Sequence, residues 1–317
     1  MSTESEKTEI THKPENDEAE ESVKNYTTVF NKIVTIPENC SFPYITFLPR
    51  VAQKISLIEM SRVPKDEQDF QLINQMIIDS LNVDENGDIN PCVLTPIDAL
   101  KTDSSSLIVV DDAFDGYIKA SEYLANGSGL DSILHILVNE LAMLISFKAH
   151  GYEIDGNFNE QLYYNIKDKT FRFICLPDSP SKQTETNSGK MDKAVAAHLM
   201  FVLIGAYPKG DDVLVNLEAG TAFEDEAASA RWAALPLELK NTFISSFKGS
   251  VELEDWKKLL SRIEGELCEC AVCSRKTFGD IDNCFFCGSS LDQGNLSVQL
   301  RVEDNEGKNV YSIILAL

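Results

Sequence analysis

Basic residues are scarce in this chain of 317 residues. It holds 28 lysines and arginines against 51 aspartates and glutamates, which gives a formal net charge of −23. A general nucleic-acid or anionic-membrane binder needs a basic surface that neutralises phosphates. The composition therefore argues against both kinds of partner and favours solubility or a basic protein partner.

A long apolar run is also missing. The longest run, residues 194–206, is interrupted by His198 and is too short to cross a bilayer. No basic segment followed by apolar residues stands near residue 1. We therefore expect a cytoplasmic protein, and its 43% apolar content is enough for a substantial core.

Large apolar side chains are nearly absent from the first 25 residues, which contain eight acidic residues and three lysines. Such a segment cannot offset the entropy lost on ordering. We predict a disordered acidic tail over residues 1–28, which is either a solvated leader or an acidic interaction arm.

Cysteines are few, and five of the eight lie close together. Cys270-Ala-Val-Cys273 and Cys284-Phe-Phe-Cys287 are two C-x-x-C pairs separated by residues 274–283. Four thiolates at this spacing suit tetrahedral zinc, because each pair supplies two ligands from a tight turn. The pattern predicts a zinc ribbon or knuckle with these four ligands. A site whose four positions are all filled by protein is structural and not catalytic.

The remaining cysteines have other expected roles. Cys268 is surplus and either replaces Cys270 as a ligand or stays a thiol, while we expect small core residues at Cys40, Cys92 and Cys175. The segment around the cluster is short and has little apolar core of its own. Its folding should therefore depend on metal binding, while the rest of the protein should not.

Residues 128–178 have the most regular pattern in the chain. Apolar residues recur with helical spacing over 133–145, Ser128 can cap the helix start, and Gly151 is a helix stop signal. A polar loop follows, and then residues 162–166 and 171–176 alternate like two strands that turn at 167–169. The predicted order is helix, loop, hairpin.

This order resembles the catalytic segment of a protein kinase, where a helix ending near H-G precedes a loop H-x-D-x-x-x-x-N and a hairpin that ends in D-F-G. The segment FKAHGYEIDGNFNEQLYYNIKDKTFRFICLPDSP is similar to bacterial kinase-like proteins associated with TerY-type von Willebrand factor A proteins. The resemblance covers about residues 30–288, because those proteins also carry a cysteine cluster after a tryptophan helix.

The resemblance implies an α+β, kinase-like, two-lobed fold. A small β-rich N-lobe would span residues 29–112 and a helical C-lobe residues 113–265. The zinc knuckle would span 266–292, and alternation after it predicts a closing β-hairpin over 293–317.

The residues that carry kinase chemistry are missing from the aligned positions. Gly156 stands at the catalytic aspartate, Gln161 at the magnesium-binding asparagine, and Cys175 or Leu176 at the D-F-G aspartate. The short interval from Cys175 to Asp192 contains no A-P-E motif. A slip of register would instead bring Asp155 and Asp178 to the cleft, although their spacing does not fit the family pattern.

The N-lobe signal is similarly incomplete. In VAQKI, Lys54 stands where kinases have the lysine that contacts ATP phosphates, and Glu67 or Asp69 could be its partner. The preceding segment IPENCSFPYITFL has no glycine, so its backbone cannot approach phosphates closely.

These features imply a pseudokinase, a catalytically inactive kinase-like binding or scaffold protein with a structural zinc site, for which ATP and magnesium are not expected cofactors. Its partners by resemblance would be a von Willebrand factor A protein and a metal-dependent phosphatase. The alternatives are a residual nucleotide-binding serine/threonine kinase and a zinc-ribbon interaction protein in a nucleic-acid context. The acidity of residues 268–317 argues against the last.

Three further residues have expected places in the core. His135 and His198 lie in apolar helical segments, where a lone histidine is more often a satisfied core residue than a ligand or base. Trp256 lies on the apolar face of a predicted helix and should pack in the core.

Overall fold

The computed structural model of this protein describes residues 23–38, 40–42, 44–48, 53–80, 92–110, 114, 116–120, 122, 129–153, 158–176, 181–182, 190–209, 212–291, 297–303 and 309–316. The predicted tail lies outside the described residues as far as residue 22.

Seven α-helices lie in the described part of the chain: α1 (Glu67–Ser80), α2 (Leu130–Ala149), α3 (Lys190–Ile204), α4 (Val213–Ala219), α5 (Glu226–Ala233), α6 (Leu237–Phe247) and α7 (Leu253–Gly265). A 3-10 turn spans Phe158–Gln161.

Sixteen strands lie in the same part: β1 (Val23–Thr27), β2 (Ile33–Pro37), β3 (Tyr44–Leu48), β4 (Gln53–Glu59), β5 (Val93–Leu94), β6 (Asp98–Lys101), β7 (Ser106–Val110), β8 (Ile118–Lys119), β9 (Tyr152–Glu153), β10 (Leu162–Asn165), β11 (Thr170–Ile174), β12 (Ser181–Lys182), β13 (Cys268–Glu269), β14 (Lys276–Thr277), β15 (Ser297–Glu303) and β16 (Asn309–Ala316). Helices and several small sheets confirm the predicted α+β class.

Four strands form an antiparallel sheet in the order β3-β4-β7-β6. The described apolar side chains of β4 and β7 are buried on both faces of this sheet. Leu57 and Val109 pack in a cluster on one face, whereas Ile58 and Val110 pack in a second cluster on the other. Because successive side chains of a strand point to opposite faces, apolar runs such as those of β4 and β7 can bury both.

The pair β1–β2 is tied to this sheet through Asp98. The buried Asp98 carboxylate accepts a hydrogen bond from the Thr28 hydroxyl at 2.8 Å and one from the Phe30 backbone N–H at 3.2 Å. The strand β1 begins at Val23, so the predicted tail of residues 1–28 extends too far into the folded part.

The predicted hairpin is confirmed as β10 and β11, which pair antiparallel in a sheet of order β5-β11-β10-β8. The turn between them includes Lys169, whose φ is 53°.

The strand β9 pairs antiparallel with β12, so the chain before residue 154 runs beside the chain after residue 180.

The long helix α2 ends where the sequence predicts. Gly151 has a φ of 78°, and its N–H donates to the Lys148 carbonyl at 3.0 Å. At the other end the expected Ser128 cap is wrong, because the N-cap residue is Gly129; Ser128 itself lies outside the described residues. A Cβ at Gly129 would lie 3.2 Å from the Lys276 backbone nitrogen, so β14 approaches the helix start closely.

Among the described residues, α2 is the helix whose length and hydropathy would allow it to cross a membrane. The share of that apolar window buried inside the protein is 56%. Its buried side chains join one large core with α3, α6 and α7, which is the ordinary role of an apolar core helix.

Trp256 of α7 confirms the core prediction. Its side chain is fully buried, its indole N–H donates to the Ser246 hydroxyl at 2.9 Å, and its ring lies 4.7 Å from that of Phe243. The core also contains His198, as predicted. The prediction for His135 is wrong: its side chain is 46% exposed and lies 3.0 Å from the Glu264 carboxylate, because this face of α2 turns towards the end of α7.

Candidate metal centre

The sulfurs of Cys270, Cys273, Cys284 and Cys287 lie within 4.8 Å of one another. Two distances, Cys270 to Cys287 and Cys273 to Cys284, are both 3.7 Å and each joins one C-x-x-C pair to the other. Sulfurs about 2.3 Å from one tetrahedral zinc ion are separated by roughly 3.8 Å. Disulfide-bonded sulfurs would be about 2.05 Å apart, so these are separate thiols. The four cysteines can therefore bind a metal ion.

The two pairs are held in the same kind of turn. The Cys270 N–H donates to the Arg275 carbonyl at 3.0 Å, and the Cys284 N–H donates to the Ser289 carbonyl at 2.7 Å. The residue after each second cysteine has a left-handed backbone, with φ of 56° at Ser274 and 69° at Gly288. This repeated geometry turns both sulfurs of each pair towards the same point.

The two turns are fixed to each other and to the core. Strands β13 and β14 form a short antiparallel pair that flanks the first turn. The Thr277 hydroxyl of β14 accepts the Phe285 N–H of the second turn at 3.0 Å. The rings of Phe278 and Phe285 meet edge to face at 5.3 Å, and both belong to the large core with α2 and α7.

The electrostatics of the four thiols differ. The Ser289 hydroxyl and the backbone N–H of Cys273 lower the pKa of the Cys270 thiol to about 6, and the Ser289 hydroxyl also lowers the pKa of Cys287. Burial raises the pKa of Cys284 to about 12. A divalent cation would displace the remaining protons, since the thiolate is the form that binds metal.

Cys268 is not part of the cluster. It pairs with Thr277 between β13 and β14, and its sulfur lies 3.6 Å from the Phe278 carbonyl. Of the three cysteines predicted for the core, Cys175 is buried, whereas Cys40 and Cys92 are half-buried at the edges of core clusters.

The residues proposed for kinase chemistry lie only partly within the described part of the chain. Asp155, Gly156 and Asp178 lie outside the described residues. Lys54 lies in β4 opposite Phe47, and its side chain is outside the described part. The carboxylate of Asp69, one of its two proposed partners, accepts a hydrogen bond from the Lys65 backbone N–H at 2.9 Å near the start of α1.

The two other aligned positions are buried. Gln161 is 1% exposed, and neither oxygen nor nitrogen of its side-chain amide has a hydrogen-bond partner. Cys175 is fully buried in the large core, and its N–H donates to the Leu94 carbonyl at 3.1 Å. Burial raises the pKa of the Cys175 thiol, which keeps it neutral.

Sequence reasoning missed two polar arrangements. One is a buried network in which the Tyr164 hydroxyl lies 2.8 Å from Glu140 and 3.1 Å from His198, with 2.8 Å between His198 and Glu140. Glu140, a glutamate within the apolar run of α2, was the sequence feature that could have indicated a buried polar network. The other is Ser289, which occupies in the second turn the place of Arg275 in the first.

No protein-family model matches the chain, and no curated protein matches it.

Proposed function

We propose that this protein is a pseudokinase: a kinase-like, two-lobed binding module that does not transfer phosphate and that is stabilised by a structural zinc ion. The observation that carries the proposal is a cluster of apolar side chains packed between the β3-β4-β7-β6 sheet and the β10–β11 hairpin. We call it the interface cluster; its members are Ile58, Met60, Ile108, Val110, Phe114, Tyr163, Ile174 and Leu176.

The interface cluster packs the sheet of the proposed N-lobe directly against the hairpin of the proposed C-lobe. Tyr163 is 0% exposed, and its ring meets that of Phe114 edge to face at 5.1 Å. Val110 at the end of β7 and Ile174 at the end of β11 are also buried. An adenine ring placed among these side chains would displace them and lose their buried packing.

The position aligned with the D-F-G aspartate is also buried among apolar side chains. Cys175 and Leu176 are both buried, and a neutral thiol in an apolar core does not replace a carboxylate on magnesium. Phosphoryl transfer depends on positioned metal ions and charges, so this loss removes much of its physical basis.

Three features support the kinase-like part of the proposal: the order of two elements, one strand pairing and one side-chain contact. The strand that contains Lys54 is followed by helix α1, as the lysine strand of a kinase is followed by the helix that bears its glutamate. The pairing of β9 with β12 joins the chain just before the segment aligned with the catalytic loop to the chain that follows the D-F-G position. Asp192 at the start of α3 stands where, by resemblance, a kinase has the leading aspartate of its central helix, and its carboxylate accepts hydrogen bonds from the Lys148 ammonium at 2.9 and 3.1 Å.

Zinc is the metal proposed for the four-cysteine cluster, because four thiolates at tetrahedral separations suit Zn²⁺ better than harder cations. Cys270, Cys273, Cys284 and Cys287 would hold it. With every ligand supplied by protein, the ion would stabilise the ribbon and would not activate water.

One observation favours the residual-kinase alternative. The Gln161 amide, at the position aligned with the magnesium-binding asparagine, is buried with unpartnered polar atoms, and a buried polar group of that kind is costly unless water or a ligand satisfies it. The two functions are separated by the nucleotide experiment below.

The proposed partners are proteins. A chain with net charge −23 fits a basic protein surface, and the resemblance suggests a von Willebrand factor A protein and a metal-dependent phosphatase. A cytoplasmic location would suit a cluster of reduced thiols.

The nucleotide experiment measures thermal unfolding of the full chain with and without Mg-ATP, together with transfer of labelled phosphate. We expect no shift and no transfer. A shift of several degrees that is lost in Lys54→Ala or Asp178→Ala, and kept in Lys258→Ala on the exposed side of α7, would overturn the pseudokinase assignment.

The metal experiment measures zinc per chain after expression with ample zinc. We expect about one ion per chain, as a four-thiolate site binds one, a marked loss in Cys273→Ser and Cys287→Ser, and no loss in Cys268→Ser or Cys92→Ser. If the native chain contains no metal and the four clustered thiols all react freely with a thiol reagent, the zinc assignment fails. If Cys268→Ser abolishes binding, the ligand set is wrong.

A further inference from the structure

Ser289 occupies a particular place beside the four-cysteine cluster. Its hydroxyl oxygen lies 2.9 Å from the Cys287 sulfur and 3.3 Å from the Cys270 sulfur. These two sulfurs belong to different C-x-x-C turns and are 3.7 Å apart. A single side chain therefore contacts both halves of the cluster.

The backbone holds this hydroxyl in place. The Ser289 carbonyl accepts the Cys284 N–H at 2.7 Å, and the neighbouring residue Ser290 forms a β-bridge with Asn283. In the first turn the equivalent residue is Arg275, whose guanidinium lies 5.0 Å over the Phe286 ring. The hydroxyl is thus a feature of one turn and not of the turn geometry itself.

A hydrogen-bond donor beside these sulfurs would reduce an excess of negative charge. Four thiolates around a divalent cation leave two negative charges, and Asp280 and Asp282 line the same groove as Cys284 and Cys287. In a chain of net charge −23 this excess is unfavourable unless hydrogen bonds to sulfur spread it.

We propose that Ser289 is a positioning residue of the metal centre, whose hydroxyl shares its one proton between the Cys287 and Cys270 thiolates and thereby raises metal affinity. The inference rests on the proposed metal centre and adds to it a contact outside the ligand set. Removal of a partner that hydrogen-bonds a metal ligand typically lowers affinity by about 10- to 100-fold.

The experiment titrates the full chain with Co²⁺ and with Zn²⁺ against a competing chelator. We expect Ser289→Ala to bind metal about 10- to 100-fold more weakly than the native chain. Its sulfur-to-cobalt absorption band should also shift, since the sulfurs lose a hydrogen bond. Ser290→Ala is the matched control and should change neither quantity. Ser289→Thr keeps a hydroxyl and should restore both.

The outcomes separate this inference from the metal centre itself. If the native chain binds Co²⁺ and Ser289→Ala binds it with the same affinity and spectrum, the role of Ser289 is disproved while the metal centre stands. If the native chain binds neither ion, both fail. If alanine impairs folding, Ser289→Thr decides: a threonine variant that folds but binds metal about 10-fold or more weakly would overturn the inference.

Discussion

Two histidine–glutamate pairs differ chiefly in their exposure to water. The pair of His198 and Glu140 lies in the core between α3 and α2, where Tyr164 completes it. The pair of His135 and Glu264 lies at the surface between α2 and α7. The same interaction can therefore be compared in two environments within one protein.

We predict that His198→Ala lowers the free energy of unfolding by about 3–5 kcal/mol, because it leaves the buried Glu140 carboxylate without its histidine partner and with the Tyr164 hydroxyl as its remaining contact in this network. His135→Ala should cost about 0.2–1 kcal/mol, since water can replace an exposed partner. Urea denaturation of both variants measures the difference. Equal losses would mean that the buried network does not carry this stability.

The same residues mark a limit of sequence reasoning. The burial of His198 could be expected from its apolar helix, but its partners could not, because Glu140 and Tyr164 are brought to it by packing of distant elements. His135 has similar neighbours in sequence and yet lies at the surface. Periodicity identifies a helix, but the other elements that pack around it decide which face is covered.

At the scale of elements, the end of α2 requires a left-handed backbone at Gly151. Gly151 has a φ of 78°, and a Cβ there would meet no atom within 4 Å. Substitution would therefore test backbone conformation alone. Gly265, the last residue of α7, also has open space around it and has no positive φ, so it provides a matched comparison.

We predict that Gly151→Ala destabilises the protein by about 1–2 kcal/mol, the cost of a left-handed backbone for a residue with a Cβ. Gly265→Ala should stabilise it by about 0.4–1 kcal/mol, because alanine restricts the unfolded chain at a compatible position. Thermal unfolding measures both, and a loss in both variants would contradict the conformational explanation.

Much of the element order could be predicted from the sequence. The helix α2, its stop at Gly151, the β10–β11 hairpin and the two cysteine turns all follow from local patterns that a few residues determine. Short strands such as β5 and β8 carry no such pattern, since two residues form a strand only when a neighbouring strand pairs with them. The approach of β14 to Gly129 likewise depends on residues distant in sequence.

For the whole molecule, the main question is whether the cysteine-rich segment folds alone. Sequence reasoning expects the rest of the protein to survive loss of metal. The packing argues otherwise, because Phe278 and Phe285 lie in the same core as Leu130, Trp256 and Leu260. Gly279 points to the same coupling: a Cβ there would lie 2.5 Å from the Glu266 carbonyl, so the segment is fitted closely to the end of α7.

We therefore predict that removal of metal by a chelator destabilises the body of the protein together with the ribbon. Trp232 and Trp256 are both in the large core and none of the ribbon residues is a tryptophan, so their fluorescence reports the body. A metal present at 1,000 times its dissociation constant stabilises the folded state by about 4.1 kcal/mol if it binds only that state. The tryptophan transition should accordingly move to lower urea after chelation. Cys287→Ser, which we expect to bind metal poorly, should respond little to the chelator. An unchanged tryptophan transition, with the cluster thiols newly reactive in the native chain, would instead mean that the ribbon unfolds alone.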